Sequence, residues 1–246
     1  MTKSKNFRKA IWVILAVIIF LVLACFLYVS DYYPADSAAI DAFCEDVSVS
    51  GQMPQEGMIV YAPKDATTGL IFYPGGKVEY TAYEPLMMAC AEKGILCILL
   101  EMPGNLAVLN PNAADGIMDQ HPEIENWYIG GHSLGGSMAA TYAAKHSSEL
   151  DGLILLAAYS TSNLKDTSLK VLSVYGSEDW VLNAEKHAEY RQYLPEDFTE
   201  VIITGGCHAG FGMYGSQDGD GVPELSSEEQ IQIASEEIYR FVETIH

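Results

Sequence analysis

The hydrophobic pattern divides the chain into two regimes. Ala10 to Val29 is a run of 20 residues without a charge, and as a helix rising about 1.5 Å per residue it would span roughly the 30 Å of a bilayer's hydrocarbon core. Beyond it, short continuous apolar runs alternate with longer segments of helical composition. The runs Met58 to Tyr61, Gly69 to Tyr73, Ile95 to Leu100, Trp127 to Gly130, Gly152 to Ala157, Leu169 to Tyr175 and Thr199 to Ile203 read as strands. A weak first strand is expected around Asp46 to Val49, after a helix over Ser37 to Cys44. Helices are predicted at Thr81 to Lys93, Ala113 to His121, the stretch after Ser133, Ala184 to Leu194 and Ser227 to Thr244. Strands that are apolar along their whole length and alternate with helices predict a mostly parallel sheet covered on both faces.

The stretch Asn126 to Gly136 concentrates the chemistry. Its apolar run ends in Gly131-His132-Ser133-Leu134-Gly135 and passes directly into a helix-forming segment rich in alanine. Gly-x-Ser-x-Gly between a strand and a helix places the serine at the tip of a sharp turn, in a backbone conformation that only small neighbours permit. The positive end of the following helix lies beneath it. A serine hydroxyl is a weak nucleophile near neutral pH and needs a histidine base and a carboxylate to orient that histidine. Asp179 follows the strand ending at Tyr175, and His208 follows the strand ending at Ile203. Both stand in loops beyond carboxyl ends of strands, where parallel sheets build their sites, and Ser, Asp, His is the chain order of a serine hydrolase of this architecture. Glu178 is the rival acid, although Asp-x-Val after a buried strand favours Asp179. His132 adjoins the serine and reads as a packing residue. His121, His146, His187 and His246 read as solvated residues at helix ends or surfaces. Donors for an oxyanion are expected from the N–H of Leu134 and from the loop Tyr73-Pro74-Gly75-Gly76-Lys77, with Gly76 first and Lys77 next.

These residues resemble the α/β-hydrolase superfamily: Gly-His-Ser-Leu-Gly-Gly, the Pro-Gly-Gly loop, Gly-Ser-Glu-Asp and the late Cys-His carry the likeness from about Met58 onward. The stretch Glu101 to Ala107 is similar to small bacterial members grouped with dienelactone hydrolases. Dienelactone hydrolases proper carry a cysteine nucleophile, so their substrate does not transfer to a chain with Ser133. The resemblance implies an α/β-hydrolase fold, a small-molecule ester substrate and hydrolysis through an acyl-enzyme, with no cofactor. An acyltransferase using the same residues, or a non-catalytic binding protein on the same scaffold, are the alternatives. About eleven residues separate the strand ending at Ala157 from the next, too few for a lid domain.

Charge and cysteines add limits. Four basic residues precede Ala10, while 9 basic and 33 acidic residues follow Val29, a formal −24. Such a surface repels phosphate backbones, which excludes nucleic acid as an expected partner. The basic flank predicts a cytoplasmic N-terminus. The expected organisation is a basic flank at 1–9, a signal-anchor helix at 10–29, a linker and first elements at 30–57, and a catalytic domain at 58–246 outside the cytoplasm. Cleavage as a signal peptide, or lipidation at Cys25, are the competing fates of the apolar helix. Cys44, Cys90, Cys97 and Cys207 lack zinc or redox spacing, so neither a metal site nor a disulfide framework follows.

Overall fold

The computed structural model describes residues 2–46, 52–55 and 57–244. Two compact units result, Met1–Tyr32 and Tyr33–His246. The first is a single helix, α1 (Thr2–Ser30). Its segment Ile11–Ser30 has a mean hydropathy of 3.1 and is long and apolar enough to cross a membrane. Side chains such as Trp12 and Phe20 are exposed along it.

The second unit starts before Met58. Helix α2 (Ser37–Asp46) buries Ile40 and Phe43 in the core of the body. Of the expected strand at Asp46 to Val49, Asp46 is the last residue of this helix, and Val47 to Val49 lie outside the described residues. Instead a short strand β1 (Gln52–Gln55) pairs antiparallel with β2 (Met58–Tyr61). Then follow β3 (Thr68–Tyr73), α3 (Glu84–Ala91), β4 (Ile95–Leu100), β5 (Asn126–His132), α4 (Leu134–Lys145), β6 (Gly152–Leu156), β7 (Lys170–Gly176), α5 (Ala184–Tyr190), β8 (Thr199–Ile203) and α6 (Ser227–Glu243). They form one eight-stranded sheet in the order β1-β2-β4-β3-β5-β6-β7-β8. From β4 to β8 every pairing is parallel; among the described strands β2 alone runs the other way, antiparallel to both β1 and β4.

The strand composition explains the layers. The side chains of β4 and β6 are buried throughout, because helices or turns cover the sheet on both sides. One face packs Tyr61, Phe72, Cys97 and Tyr128 against α2, α3 and α6. The other packs Ile71, Ile98, Ile129 and Leu155 against Ala139, Ala140 and Ala143 of α4, whose small side chains let that helix lie close to the strands. Helix α6 is the most sharply two-sided helix: Ile231, Ala234, Ile238 and Phe241 face inward, and Ser226 with Glu229 closes a capping box at its start.

Three expected helices differ. Ala113 to His121 is a series of turns ending in a single 3₁₀ turn, Met118–Gln120. Gly116 takes a left-handed φ of 74° there, which an α-helix does not accept. The segment expected to start at Thr81 opens as a 3₁₀ turn, Tyr80–Tyr83, and becomes α-helical only at Glu84, where Pro85 occupies the first turn and needs no N–H partner. Helix α5 ends at Tyr190, passes through a 3₁₀ turn, Arg191–Tyr193, and is extended at Leu194, the residue before Pro195.

Candidate active site

Strand β5 delivers Ser133 to the C-terminal edge of the sheet, where the chain reverses into α4. The serine has φ 51° and ψ −121°, a conformation rare outside glycine. Its N–H is fixed by the carbonyl of Leu156 at 2.9 Å. Close approach explains the flanking glycines: a Cβ at Gly135 would collide with the carbonyl oxygens of Tyr73 and Pro74, and one at Gly131 would lie 2.6 Å from the carbonyl carbon of Gly135. The elbow is therefore wedged against the loop after β3.

The expected acid and base, Asp179 and His208, stand together. His208, beyond β8, holds Nδ1 at 2.9 Å from Oδ2 and 3.1 Å from Oδ1 of Asp179, beyond β7. Their side chains are only 2% and 1% exposed. Asp179 Oδ1 also accepts the N–H groups of Val181 (3.0 Å) and Leu182 (2.8 Å), which fixes the carboxylate from behind. Glu178 turns away and accepts the hydroxyl of Ser177 at 3.1 Å. Nε2 of His208 is buried and has no hydrogen-bond partner among the described residues. Ser133 and His208 line the same cavity of about 250 Å³, together with Leu134, Ala157, Tyr159, Val181 and Leu182. Residues 157–169, which connect β6 to β7, contain turns and no helix.

The loop after β3 carries the candidate anion donors. Gly75 donates its N–H to the hydroxyl of Tyr83 at 3.1 Å, and Lys77 donates its own to the carbonyl of Asn105 at 2.7 Å. Between them the N–H of Gly76 makes no bond to a described residue. Gly76 packs on Leu134, whose side chain would lie 2.8 Å from a Cβ built there. Leu134 opens α4, and the N–H groups of a helix's first turn have no partner within the helix. Lys77, the second expected donor from this loop, thus has its N–H engaged elsewhere. The loop is also held from its other side, where Tyr33 donates its N–H to the carbonyl of Lys77 at 2.7 Å and pairs with Val78 in a short bridge.

Sequence reasoning missed two participants. The first is Tyr83, whose hydroxyl accepts the Gly75 N–H and lies 2.8 Å from Nδ1 of His132. His132 is fully buried, as a packing residue is, and its ring sits 4.5 Å from that of His208. Burial, and then the charge of His208, hold its pKa well below the ordinary histidine range. The second is Asp220, which accepts the N–H groups of His208 and Ala209. No sequence signal marks Tyr83, while Asp220 stands in the sequence as one of two aspartates in Asp218-Gly219-Asp220-Gly221.

The remaining histidines are spread apart. His121 and His146 lie near Glu123 and Glu149 at the surface. His187, expected to be solvated, is instead buried against Tyr175 and near Ser173, and burial lowers its pKa. His246 lies outside the described residues. Cys97 is buried in β4, and Cys44, Cys90 and Cys207 are unpaired. No group of three or more metal-ligating side chains occurs among the described residues.

The sheet order, the elbow and the surrounding loops define an α/β hydrolase. The model of the Alpha/beta hydrolase family matches residues 69–232, and the chain belongs to that family. Solved structures with the same fold include a predicted CIB-like hydrolase from Thermoplasma acidophilum, 17% identical over 79% of this chain and 96% of that one, with a TM-score of 0.54. A dienelactone hydrolase from Anabaena variabilis is 15% identical over 75% and 91%, with a TM-score of 0.56. Est1E from Butyrivibrio proteoclasticus is 15% identical over 78% and 99%, with a TM-score of 0.58. No curated protein sequence matches the chain.

Proposed function

We propose that this α/β hydrolase is a membrane-tethered serine hydrolase of carboxylic esters, with Ser133 as nucleophile, His208 as base, Asp179 as its orienting acid, and Leu134 and Gly76 as oxyanion donors. One observation carries the reading: a buried His208, hydrogen-bonded through Nδ1 to Asp179, keeps Nε2 without a partner among the described residues, in the cavity that a strained Ser133 also lines. Apo hydrolases commonly hold the serine–histidine contact loosely and tighten it with substrate. The ester carbonyl enters between the Ser133 hydroxyl and the two N–H groups. Ser133 Oγ attacks the carbonyl carbon as Nε2 takes its proton, and Asp179 stabilises the resulting imidazolium through Nδ1. The negative oxygen of the tetrahedral intermediate is met by the N–H groups of Leu134 and Gly76, placed before the reaction starts. Collapse expels the alcohol, which leaves with the proton from Nε2. Water then repeats the sequence on the acyl-enzyme and regenerates Ser133.

The cavity suits a small acyl group. It holds about 250 Å³ and is bordered by Ala157, Val181 and Leu182, so short acyl esters are preferred to long-chain lipids. Among the neighbours, Est1E is described with ferulic acid bound; an aromatic acyl ester therefore belongs in the substrate panel. The test is fluorophosphonate labelling of the full-length protein, followed by turnover of acetyl, butyryl, feruloyl and palmitoyl esters. Transfer of the acyl group to an added alcohol in preference to water would favour the acyltransferase.

The tether is the helix Ile11–Ser30, with the basic flank inside and the catalytic body outside. Its support is the four basic residues before Ala10 and the absence of a charged residue from Ala10 to Val29, since charges at mid-bilayer cost about 2.5–3.5 kcal/mol each on insertion scales. On this reading, protease added to spheroplasts should digest the body, and alkaline carbonate should leave the protein in the membrane. Protection of the body would reverse the orientation, and a mature N-terminus beyond Cys25 would make the helix a cleaved signal.

A further inference from the structure

We propose that Asp220 is a positioning residue for the catalytic base, a second carboxylate that fixes the backbone of His208 while Asp179 fixes its ring. This rests on the serine-hydrolase reading above. Asp179 can orient the imidazole only if the Cα of His208 stands still; on the β8 side the buried Gln230 accepts the Cys207 N–H at 2.9 Å and donates to the Cys207 carbonyl at 2.8 Å, which leaves the N–H groups of His208 and Ala209 to be held. Ile203 is followed by Thr204, Gly205 and Gly206, with Gly205 at φ 76°. The restraint on those two N–H groups comes from Asp220. Asp220 Oδ1 accepts the His208 N–H at 3.1 Å, and Oδ2 accepts the Ala209 N–H at 2.9 Å. Oδ1 also takes the N–H of Gly221 at 2.9 Å and, at a longer 3.4 Å, that of Trp180, the neighbour of Asp179. One carboxylate thus joins the loop of the base to the loop of the acid.

The chemistry needs this residue type. An ionised carboxylate is acceptor-only and meets four N–H groups with two oxygens, whereas an asparagine would turn an NH₂ toward one of them. The charge strengthens each bond. Asp220 is itself held: its N–H donates to the carbonyl of Gln217 at 3.1 Å, Gln217 accepts the hydroxyl of Tyr214 at 3.1 Å, and the Asp218 N–H donates to the hydroxyl of Tyr33 at 3.2 Å. The segment after Phe211 is therefore a built support for the site.

The test uses the full-length protein in detergent, wild type against Asp220→Asn, with active sites counted by fluorophosphonate. Displacing a catalytic group by about 1 Å costs on the order of 100-fold. Asp220→Asn is expected to lower kcat per labelled site, and the rate constant of labelling, by about 10- to 100-fold, with KM unchanged. If the asparagine variant lacks a cooperative melt, Asp220→Ser, which keeps one oxygen acceptor, replaces it with the same expectation. Wild-type kcat per labelled site in the folded variant overturns the proposal, even when fewer sites are labelled, because that pattern means a structural role alone. A wild-type protein that is not labelled at Ser133 overturns the hydrolase reading instead.

Discussion

The hydroxyl of Tyr83 joins two halves of the site, and its removal should be costly out of proportion to one atom. In Tyr83→Phe the ring still fits between Phe72, His132 and Tyr214, with which it makes tilted contacts at 5.5, 5.6 and 6.3 Å. Two polar groups lose their partner: the Gly75 N–H at 3.1 Å and His132 Nδ1 at 2.8 Å. An unsatisfied buried group costs about 1–3 kcal/mol, so the pair predicts a loss of about 2–6 kcal/mol. At roughly 2–4 °C per kcal/mol for a domain of this size, the melting temperature falls by at least about 4 °C. Turnover falls as well, because Gly75 precedes the proposed oxyanion donor. Loss of one oxyanion donor costs about 100- to 1000-fold, and a loosened one should cost less, about 10-fold, in kcat. Tyr128→Phe is the internal contrast, since the Tyr128 hydroxyl is buried with no hydrogen-bond partner among the described residues and its removal should be neutral or stabilising. The assay is a thermal melt and steady-state ester kinetics on both variants. A Tyr83→Phe protein that melts with the wild type and turns over at its rate would refute the reasoning.

Two further predictions concern charge. Asp179→Asn should lower kcat by orders of magnitude, because an amide facing Nδ1 favours the wrong tautomer of His208; Glu178→Gln should leave kcat near wild type, and steady-state kinetics showing the reverse would move the acid to Glu178. Stability should fall as pH drops below about 6.5, since an unfolded histidine binds a proton that the buried His132 refuses, at about 1.4 kcal/mol per pH unit for each such group. His187 is depressed in the same direction and adds to the slope. In melts across pH 7 to 5, His132→Asn should flatten the dependence relative to wild type, and parallel curves would show that His132 titrates normally.

The parallel sheet was legible because β4 and β6 are apolar along their whole length, a pattern that a half-exposed strand does not show. The elbow was legible because its glycines answer a steric demand from the neighbouring loop. Asp179 and His208 could be placed at strand ends, and the structure brings them together at 2.9 Å. What escaped was set by tertiary contact. Gln52–Gln55 is polar and contains Pro54, so nothing local announces a strand; it exists by pairing with β2. Ala113 to His121 has helical composition, yet Gly116 breaks it and the Ala114 N–H goes to the hydroxyl of Tyr73 at 3.0 Å. Tyr83 looked like one more apolar residue at a helix start. Asp220 acts through four backbone N–H groups, a role that no side-chain motif records.

The central claim is that Ser133 is a nucleophile driven by His208 and Asp179. The most direct measurement is mass spectrometry of the full-length protein after fluorophosphonate treatment, with ester turnover measured in parallel. The account predicts a single adduct on the peptide containing Ser133, and a Ser133→Ala protein that melts cooperatively but neither labels nor hydrolyses ester. An adduct elsewhere, or labelling and turnover that survive in Ser133→Ala, would contradict it.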